Sequence, residues 1–223
     1  IVTGSDYDYI LDQCKILLDP ANGFPLDRLS LYPCNGTKAY KWNGQEYSLT
    51  HSVEMIDTIG QAAYNKLITT CLSYQLELSL KYDLPYTGTF LHYRGSMLNW
   101  CPIGRSAGTN QRKEWVDKDK SNNIRSNYLS LIKDFISTQN ISVAVALGGS
   151  TSFDIYPEGW DKTYVLRYFQ DESITFIGDK CKPSGNDYTI YKALKDADQH
   201  QSYSTTCPAE TIRIVANCIS DEH

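Results

Sequence analysis

The 223-residue chain lacks several features that would assign it to a class of protein at once. It has no apolar run that approaches the length of a transmembrane helix, and no signal peptide is visible. Its net charge of −5 is not offset by a basic stripe, which argues against general nucleic-acid binding. The sequence therefore predicts no membrane partner and no nucleic-acid partner, and an anionic ligand would need a local cluster of positive charge.

Paired cysteines and metal-ligand histidines are missing as well. The seven cysteines include no Cys-x-x-Cys pair, and the four histidines show no zinc-ligand spacing. An odd number of cysteines without such pairs is typical of reduced thiols rather than of a disulfide framework. We therefore expect a cytoplasmic protein without a zinc site.

What is present is ordinary for a globular protein, with 41% hydrophobic and 21% charged residues. The pattern of predicted elements changes twice along the chain. Residues 1–50 begin with a strand, a Gly-Ser-Asp turn and a helix, and continue to a hairpin through Asn43-Gly44. Residues 51–157 alternate helix and hairpin, and residues 158–223 alternate strand and helix. The sequence predicts an α/β core, residues 1–50 and 158–223, interrupted by an α+β cap at residues 51–157.

Two carboxylates follow a predicted core strand. The apolar run Ile174–Ile177 stops at Gly178, and Asp179 and Asp187 come after it. A strand that ends in Gly-Asp places a carboxylate at its carboxyl end, where open α/β sheets bind ligands. Oxygen ligands of this kind suit Mg²⁺. Helix capping or turn formation is the alternative, and it explains Asp187 more easily than Asp179.

Three arginines, Arg94, Arg105 and Arg112, fall within nineteen residues of the predicted cap. Arginine binds phosphate with two parallel hydrogen bonds and keeps its charge at physiological pH. Surface arginines are common, however, and spacing alone favours that interpretation. Ser152 and Asp154 alternate along a predicted strand and so share one face, where they could bind sugar hydroxyls or simply face solvent.

Two long segments resemble one known family. They are Asn-x-x-Pro-Ile-Gly-Arg-Ser at residues 99–106 and Ser-Phe-Asp-Ile-Tyr-Pro-Glu-Gly-Trp-Asp-Lys at residues 152–162. Both are similar to segments of eukaryotic-type phosphomannomutases, which belong to the haloacid dehalogenase superfamily, and the resemblance extends over essentially the whole chain. It implies an α/β, haloacid-dehalogenase-like Rossmannoid core, here without its first strand, and an inserted α+β cap.

The resemblance also implies an activity. Such an enzyme is an isomerase that interconverts mannose 6-phosphate and mannose 1-phosphate through an aspartyl-phosphate and a hexose bisphosphate, toward GDP-mannose. It implies Mg²⁺ as cofactor, hexose phosphates as partners and a homodimer formed through the cap. Hinges near Asn43-Gly44 and Pro157–Gly159 would let the cap move.

The family's functional residues carry over to matching positions in this chain. The three arginines would hold substrate phosphate and hydroxyls, and Ser152 and Asp154 would contact the sugar. Lys162 would pair with the nucleophilic aspartate and the transferred phosphoryl group. Asp179 and Asp187 would bind the metal. Thr3 and Ser5 match the phosphate-contacting turn less closely, since the family usually has Gly-Gly-Ser there.

The chain departs from the family at two places. No Asp-x-Asp-x-Thr, the motif of the nucleophile and the general acid/base, occurs in the sequence. We expect it upstream of Ile1, and we expect the 223-residue chain alone to be inactive. The family's Asp-Pro-Arg-Thr segment is replaced within residues 191–201. Two other functions stay open: a sugar-phosphate phosphatase of the same superfamily, against which the arginines argue, and a non-catalytic phosphosugar-binding protein.

Overall fold

The computed structural model describes residues 1–183 and 185–220, which form two compact units divided between Trp160 and Asp161. The core and cap boundaries that the sequence predicts near residues 51 and 158 remain predictions. No helix in the described ranges is both long enough and apolar enough to cross a bilayer.

The first 52 residues of the first unit build a small sheet beside the amino terminus. Its strands β1 (Ser30–Leu31), β2 (Lys38–Trp42) and β3 (Tyr47–Ser52) are antiparallel in that order. Val2 makes a parallel bridge to Tyr32, and the chain then enters helices α1 (Tyr7–Gln13) and α2 (Lys15–Leu18). The predicted hairpin through Asn43 is present. The side-chain oxygen of Asn43 accepts the amides of Gln45 and Glu46 at 2.9 Å each, which closes the turn.

The rest of the first unit is an α+β layer pair. Its elements are α3 (Met55–Ile59), α4 (Gln61–Lys81), β4 (Leu91–Tyr93), β5 (Leu98–Trp100), α5 (Thr109–Asn122), α6 (Ile124–Thr138), β6 (Val143–Gly148) and β7 (Ser152–Pro157). The four strands form an antiparallel sheet in the order β4-β5-β7-β6. Helices α3 and α4 are separated at Gly60, whose φ of +80° leaves the helical region.

Central strands β5 and β7 turn one face to the hydrophobic core. Trp100 and Phe153 are register partners, are fully buried, and stack with ring centroids 4.7 Å apart. They pack with buried residues of helices α4 and α6, such as Leu67 and Ile132. Because strand side chains alternate, the neighbouring residues Asn99, Ser152 and Asp154 lie on the opposite face. The core therefore fixes the orientation of the polar surface described below.

The second unit holds a parallel strand pair. Strands β8 (Thr175–Gly178) and β9 (Gln201–Ser204) pair in parallel, with Thr175 opposite Gln201. The crossover between them contains α7 (Tyr188–Lys195), as parallel pairing requires. A 3₁₀ helix at Lys162–Tyr168 precedes the pair, and α8 (Pro208–Ser220) follows it. The alternation of strand and helix predicted for this part of the chain is confirmed in the described residues.

Candidate active site

A buried amide lies at the centre of the polar face of the sheet. Asn99, on β5, is register partner of Asp154 on β7. Its Nδ2 donates to Asp154 Oδ1 at 2.7 Å and to Ser152 Oγ at 3.0 Å. Ser152 in turn donates its hydroxyl proton to the carbonyl of Gly148 at 2.8 Å. The structure therefore joins Ser152 and Asp154 in one hydrogen-bonded group, and Asn99 is a member that the sequence analysis did not single out.

Gly148 makes room for this group. A Cβ at that position would lie 2.7 Å from Ser152 Oγ and 2.8 Å from Asp154 Oδ2, closer than real Cβ atoms approach such atoms. Any side chain there would displace the hydroxyl and the carboxylate. The glycine at the end of β6 is thus explained by the space that the polar group needs.

Arg94 connects this face to the amino-terminal turn. Its side chain is only 8% exposed, and Nη1 donates to the carbonyl of Gly4 at 2.8 Å. The same nitrogen lies 4.0 Å from Asp154 Oδ1, and Nε lies 3.9 Å from Asp6 Oδ2. The guanidinium group therefore lies between the carboxylates of the turn and of the sheet.

Arg105 contacts the same turn. Its Nη1 donates to Asp6 Oδ2 at 3.2 Å and contacts Nδ1 of His92. Burial opposes ionisation of Asp6, but the amide of Tyr9 and the two arginines outweigh it and hold the pKa of Asp6 below its usual value. Burial, together with Arg105 and Arg94, also lowers the pKa of His92, against the attraction of Asp6.

Asp6 has a second role, because its carboxylate accepts the amide of Tyr9 at 3.0 Å and caps α1. An aspartate just before a predicted helix indicates such a cap, whereas no local pattern predicts the arginine contacts. Thr3 and Ser5 belong to the same turn. Cys34 donates its amide to the carbonyl of Ser5, and Asn35 donates to that of Thr3, each at 2.8 Å. The turn around Thr3 and Ser5, which the resemblance predicts to contact phosphate, is therefore in contact with Arg94 and Arg105.

Arg112, on α5, is held differently. Its Nε and Nη2 donate to the carbonyls of Ala107 and Arg105 at 2.8 and 2.6 Å, and Nη1 lies 3.3 Å from Thr151 Oγ1. These contacts in the described part of the chain are to neutral oxygens, not to a carboxylate. They hold the guanidinium group against Thr151, the residue before Ser152, without neutralising its charge, which suits an anionic ligand.

Lys162 and Asp187 form a buried ion pair in the second unit. Lys162 Nζ donates to Asp187 Oδ1, and the side chains are 9% and 5% exposed. Asp187 Oδ2 also accepts the amide of Lys180 at 3.0 Å. Asp179 is 64% exposed at the end of β8, 3.1 Å from the ammonium group of Lys180. The two predicted metal ligands thus differ, since one is an internal counter-ion and the other is open to solvent.

Comparison with known proteins identifies the family. The sequence model of eukaryotic phosphomannomutase matches residues 1–221. The chain belongs to the eukaryotic phosphomannomutase family. It is 34% identical over 209 residues to a phosphomannomutase of Dendrobium officinale, covering 93% of this chain and 69% of that protein. It is 36% identical over 185 residues to one of Saccharomyces cerevisiae, covering 81% and 67%. The chain thus spans about two thirds of the length of these relatives.

Solved structures agree on the fold. The structure of a Plasmodium falciparum IMP-nucleotidase mutant with bound IMP aligns with 96% of this family member and 56% of that chain. The TM-score is 0.56 at 12% identity, a likeness that shows the fold alone. The predicted fold class, a haloacid-dehalogenase-like α/β fold with a cap, is confirmed.

Asp179 and Asp187 of this phosphomannomutase homologue are oxygen donors of the kind that suits Mg²⁺, although both oxygens of Asp187 already accept hydrogen bonds from Lys162 and Lys180. Asp179 and Asp187 both lie close enough to Cys181 to raise the pKa of its thiol, after the larger effect of burial. Within residues 1–183 and 185–220, no group of three or more histidine, cysteine or acidic side chains could hold a metal. Mg²⁺ is usually bound by one or two carboxylates, and water and phosphate oxygens fill its remaining coordination positions. A cavity of about 460 Å³ is lined in part by Asp179 and Thr205.

Proposed function

We propose that this protein interconverts mannose 1-phosphate and mannose 6-phosphate through an aspartyl-phosphate and a hexose bisphosphate, in the direction of GDP-mannose synthesis. Membership of the phosphomannomutase family supports the reaction. The observation that carries the assignment in this chain is the position of Arg112, a charged guanidinium group that backbone carbonyls hold against Thr151, the residue before Ser152. A phosphate group needs a cation of this kind, and the hydroxyls of its sugar need polar partners such as Ser152.

In this proposal, the first unit binds the sugar and the phosphate that is not being transferred. Arg112 and Arg105 bind the phosphate, since planar guanidinium groups match phosphate oxygens with two parallel bonds. Arg105 must then exchange Asp6 for the ligand, because the carboxylate holds it in the structure described here. Ser152 and Asp154 accept hydrogen bonds from the sugar.

The second unit serves the phosphoryl group in transfer. Lys162 would neutralise part of its charge, and Asp179 and Asp187 would hold Mg²⁺. When bound, the ion stabilises charge that develops on phosphoryl oxygens. Since the 223 residues contain no Asp-x-Asp-x-Thr, the proposal gives them binding and charge stabilisation but not nucleophilic attack, and predicts that they are inactive alone.

Two finer statements belong to the proposal. We place the protein in the cytoplasm, because all seven cysteines are free thiols. We also expect a homodimer through the cap. Leu72, Leu76 and Leu80 lie four residues apart on α4 and are 52%, 62% and 82% exposed, an apolar stripe that a second copy would cover. Sedimentation of Leu76→Glu should show monomers, and unchanged association would exclude this interface.

The proposed reaction is tested by ³¹P NMR on the protein translated from its whole reading frame. With Mg²⁺ and a trace of hexose 1,6-bisphosphate, the mannose 1-phosphate signal should be replaced by that of the 6-phosphate. Steady release of inorganic phosphate without isomerisation would instead indicate a phosphatase. Binding without either reaction would indicate a phosphosugar-binding protein.

A further inference from the structure

The amide of Asn99 controls which atoms Ser152 and Asp154 can offer to a ligand. Asn99 is 3% exposed and lies between the two side chains. Its Nδ2 has two hydrogens, and its shortest contacts are Asp154 Oδ1 at 2.7 Å and Ser152 Oγ at 3.0 Å, followed by the carbonyl of Phe153 at 3.3 Å. Both side chains therefore accept a hydrogen bond from a buried donor.

The hydroxyl group of Ser152 has no hydrogen-bond donor left for a ligand. A hydroxyl group has one donor and two acceptor positions. The donor is directed to the carbonyl of Gly148 at 2.8 Å, and Asn99 takes one acceptor position. One lone pair of Oγ remains. The ionised carboxylate of Asp154 can only accept hydrogen bonds.

We propose that Asn99 is a positioning residue that fixes Ser152 and Asp154 as hydrogen-bond acceptors, so that the site selects sugars whose hydroxyls donate to both. This inference rests on the proposed function and deepens it. It assigns specificity to the direction of two hydrogen bonds rather than to the shape of the site. An analogue with fluorine in place of the hydroxyl cannot donate a hydrogen bond to either side chain.

The wild-type protein tests the direction of these bonds without a mutation. Binding of mannose 1-phosphate and of its 2-, 3- and 4-deoxyfluoro analogues is measured by calorimetry. At least one analogue should bind about ten- to a hundredfold more weakly, the usual loss for a hydrogen bond to a charged group. Equal affinity for all analogues would overturn the inference. Failure of the parent sugar phosphate to bind would instead overturn the proposed function.

Asn99→Asp tests the role of the amide. The new carboxylate cannot donate to Ser152 or Asp154, so the serine proton can turn and two carboxylates face each other. Like charges at this distance raise a carboxyl pKa. Affinity relative to wild type should therefore fall at pH 8 and recover as the pH is lowered, because a protonated carboxyl regains one donor. The discrimination against the fluoro analogues should weaken at pH 8.

Gln75→Glu is the matched control, since Gln75 is a buried amide of the same unit. Its Nε2 donates to the carbonyl of Pro102 at 3.0 Å, and its oxygen accepts Trp100 Nε1 at 2.8 Å, away from Ser152 and Asp154. The change should lower stability but leave the pH dependence and the analogue discrimination as in wild type. The inference is overturned if Gln75→Glu shows the same pH dependence and analogue discrimination as Asn99→Asp. It is also overturned if Asn99→Asp discriminates at pH 8 as well as wild type does, because Asn99 would then have a structural role only.

Discussion

Replacing Asp187 with asparagine removes the negative charge that faces the ammonium group of Lys162. The side chains are 9% exposed for Lys162 and 5% for Asp187, so water cannot take over the role of the carboxylate. Removing one partner of a buried ion pair typically costs about 3–5 kcal/mol. The asparagine oxygen can still accept the hydrogen bond from the backbone amide of Lys180. This bond does not replace the lost negative charge, so the ammonium group of Lys162 stays unpaired. We expect a loss of about 3–5 kcal/mol in the stability of the second unit.

Asp179→Asn is the matched control, because it changes the same chemical group at a side chain that is 64% exposed. Surface substitutions usually change stability by less than about 0.5 kcal/mol. The assay is amide hydrogen exchange of β8 and α7, which reports the opening of this unit even if the two units unfold separately. The double variant Lys162→Met/Asp187→Asn should be more stable than Asp187→Asn alone, since no buried charge is left unpaired.

The reasoning fails if Asp187→Asn exchanges no faster than Asp179→Asn. It also fails if the stability lost in the double variant equals the sum of the losses in Lys162→Met and Asp187→Asn, since the effects of changing two residues of one ion pair should not be additive.

Three further predictions concern charge. Arg112→Ala should weaken binding of mannose 1-phosphate by about 1.5–3 kcal/mol, and Arg112→Lys should restore only part of the affinity. Calorimetry should show no loss of affinity for the exposed control Arg28→Ala, and equal affinities of Arg112→Ala and Arg28→Ala would contradict the assignment. Asp179→Asn should prevent Mg²⁺-dependent formation of the phosphoenzyme by the protein from the whole reading frame, while Asp154→Asn should permit it and impair transfer to the sugar; trapping that shows equal loss in both would contradict the two roles. The pKa of His92 lies below its ordinary value of 6.5, so the unfolded chain binds the proton more tightly and the free energy of unfolding should fall as the pH drops below that value. Urea titrations at pH 7 and pH 5 should show a smaller fall for His92→Gln than for wild type, and an equal fall would contradict it.

Elements with a clear apolar period could be predicted from the sequence. Of the apolar residues that recur at helical spacing from Ile124 to Phe135, Ile124, Tyr128 and Ile132 are buried in α6, whereas Leu131 is 41% exposed. The alternation in β7 puts Phe153 in the core and Asp154 on the opposite face. Helix α5 was not predicted as a separate element, because it buries only Trp115 and Asp119 and has no apolar stripe. Its position depends on contacts from other elements, which periodicity does not report.

The polar residues of the site could likewise be predicted where a local pattern marks them, but not where the contact is long-range. Residue types and short spacings pointed to Ser152 and Asp154, and alternation along β5 could have added Asn99. The Arg105–Asp6 contact joins residues 99 positions apart, and no local pattern predicts such a pair. The Lys162–Asp187 pair likewise depends on where the 3₁₀ helix and α7 begin in space. Long-range pairing of charges is thus the part of the site that required a structure.

The central claim is that residues 1–160 bind a hexose phosphate through the arginines and through Ser152 and Asp154. The most direct measurement is an NMR titration of the 223-residue chain with mannose 1-phosphate, which follows arginine Nε–H and backbone amide signals. The account predicts saturable shifts at Arg105, Arg112 and Ser152, and their loss in Arg112→Ala. Absence of binding, or saturable shifts confined to other residues, would contradict it.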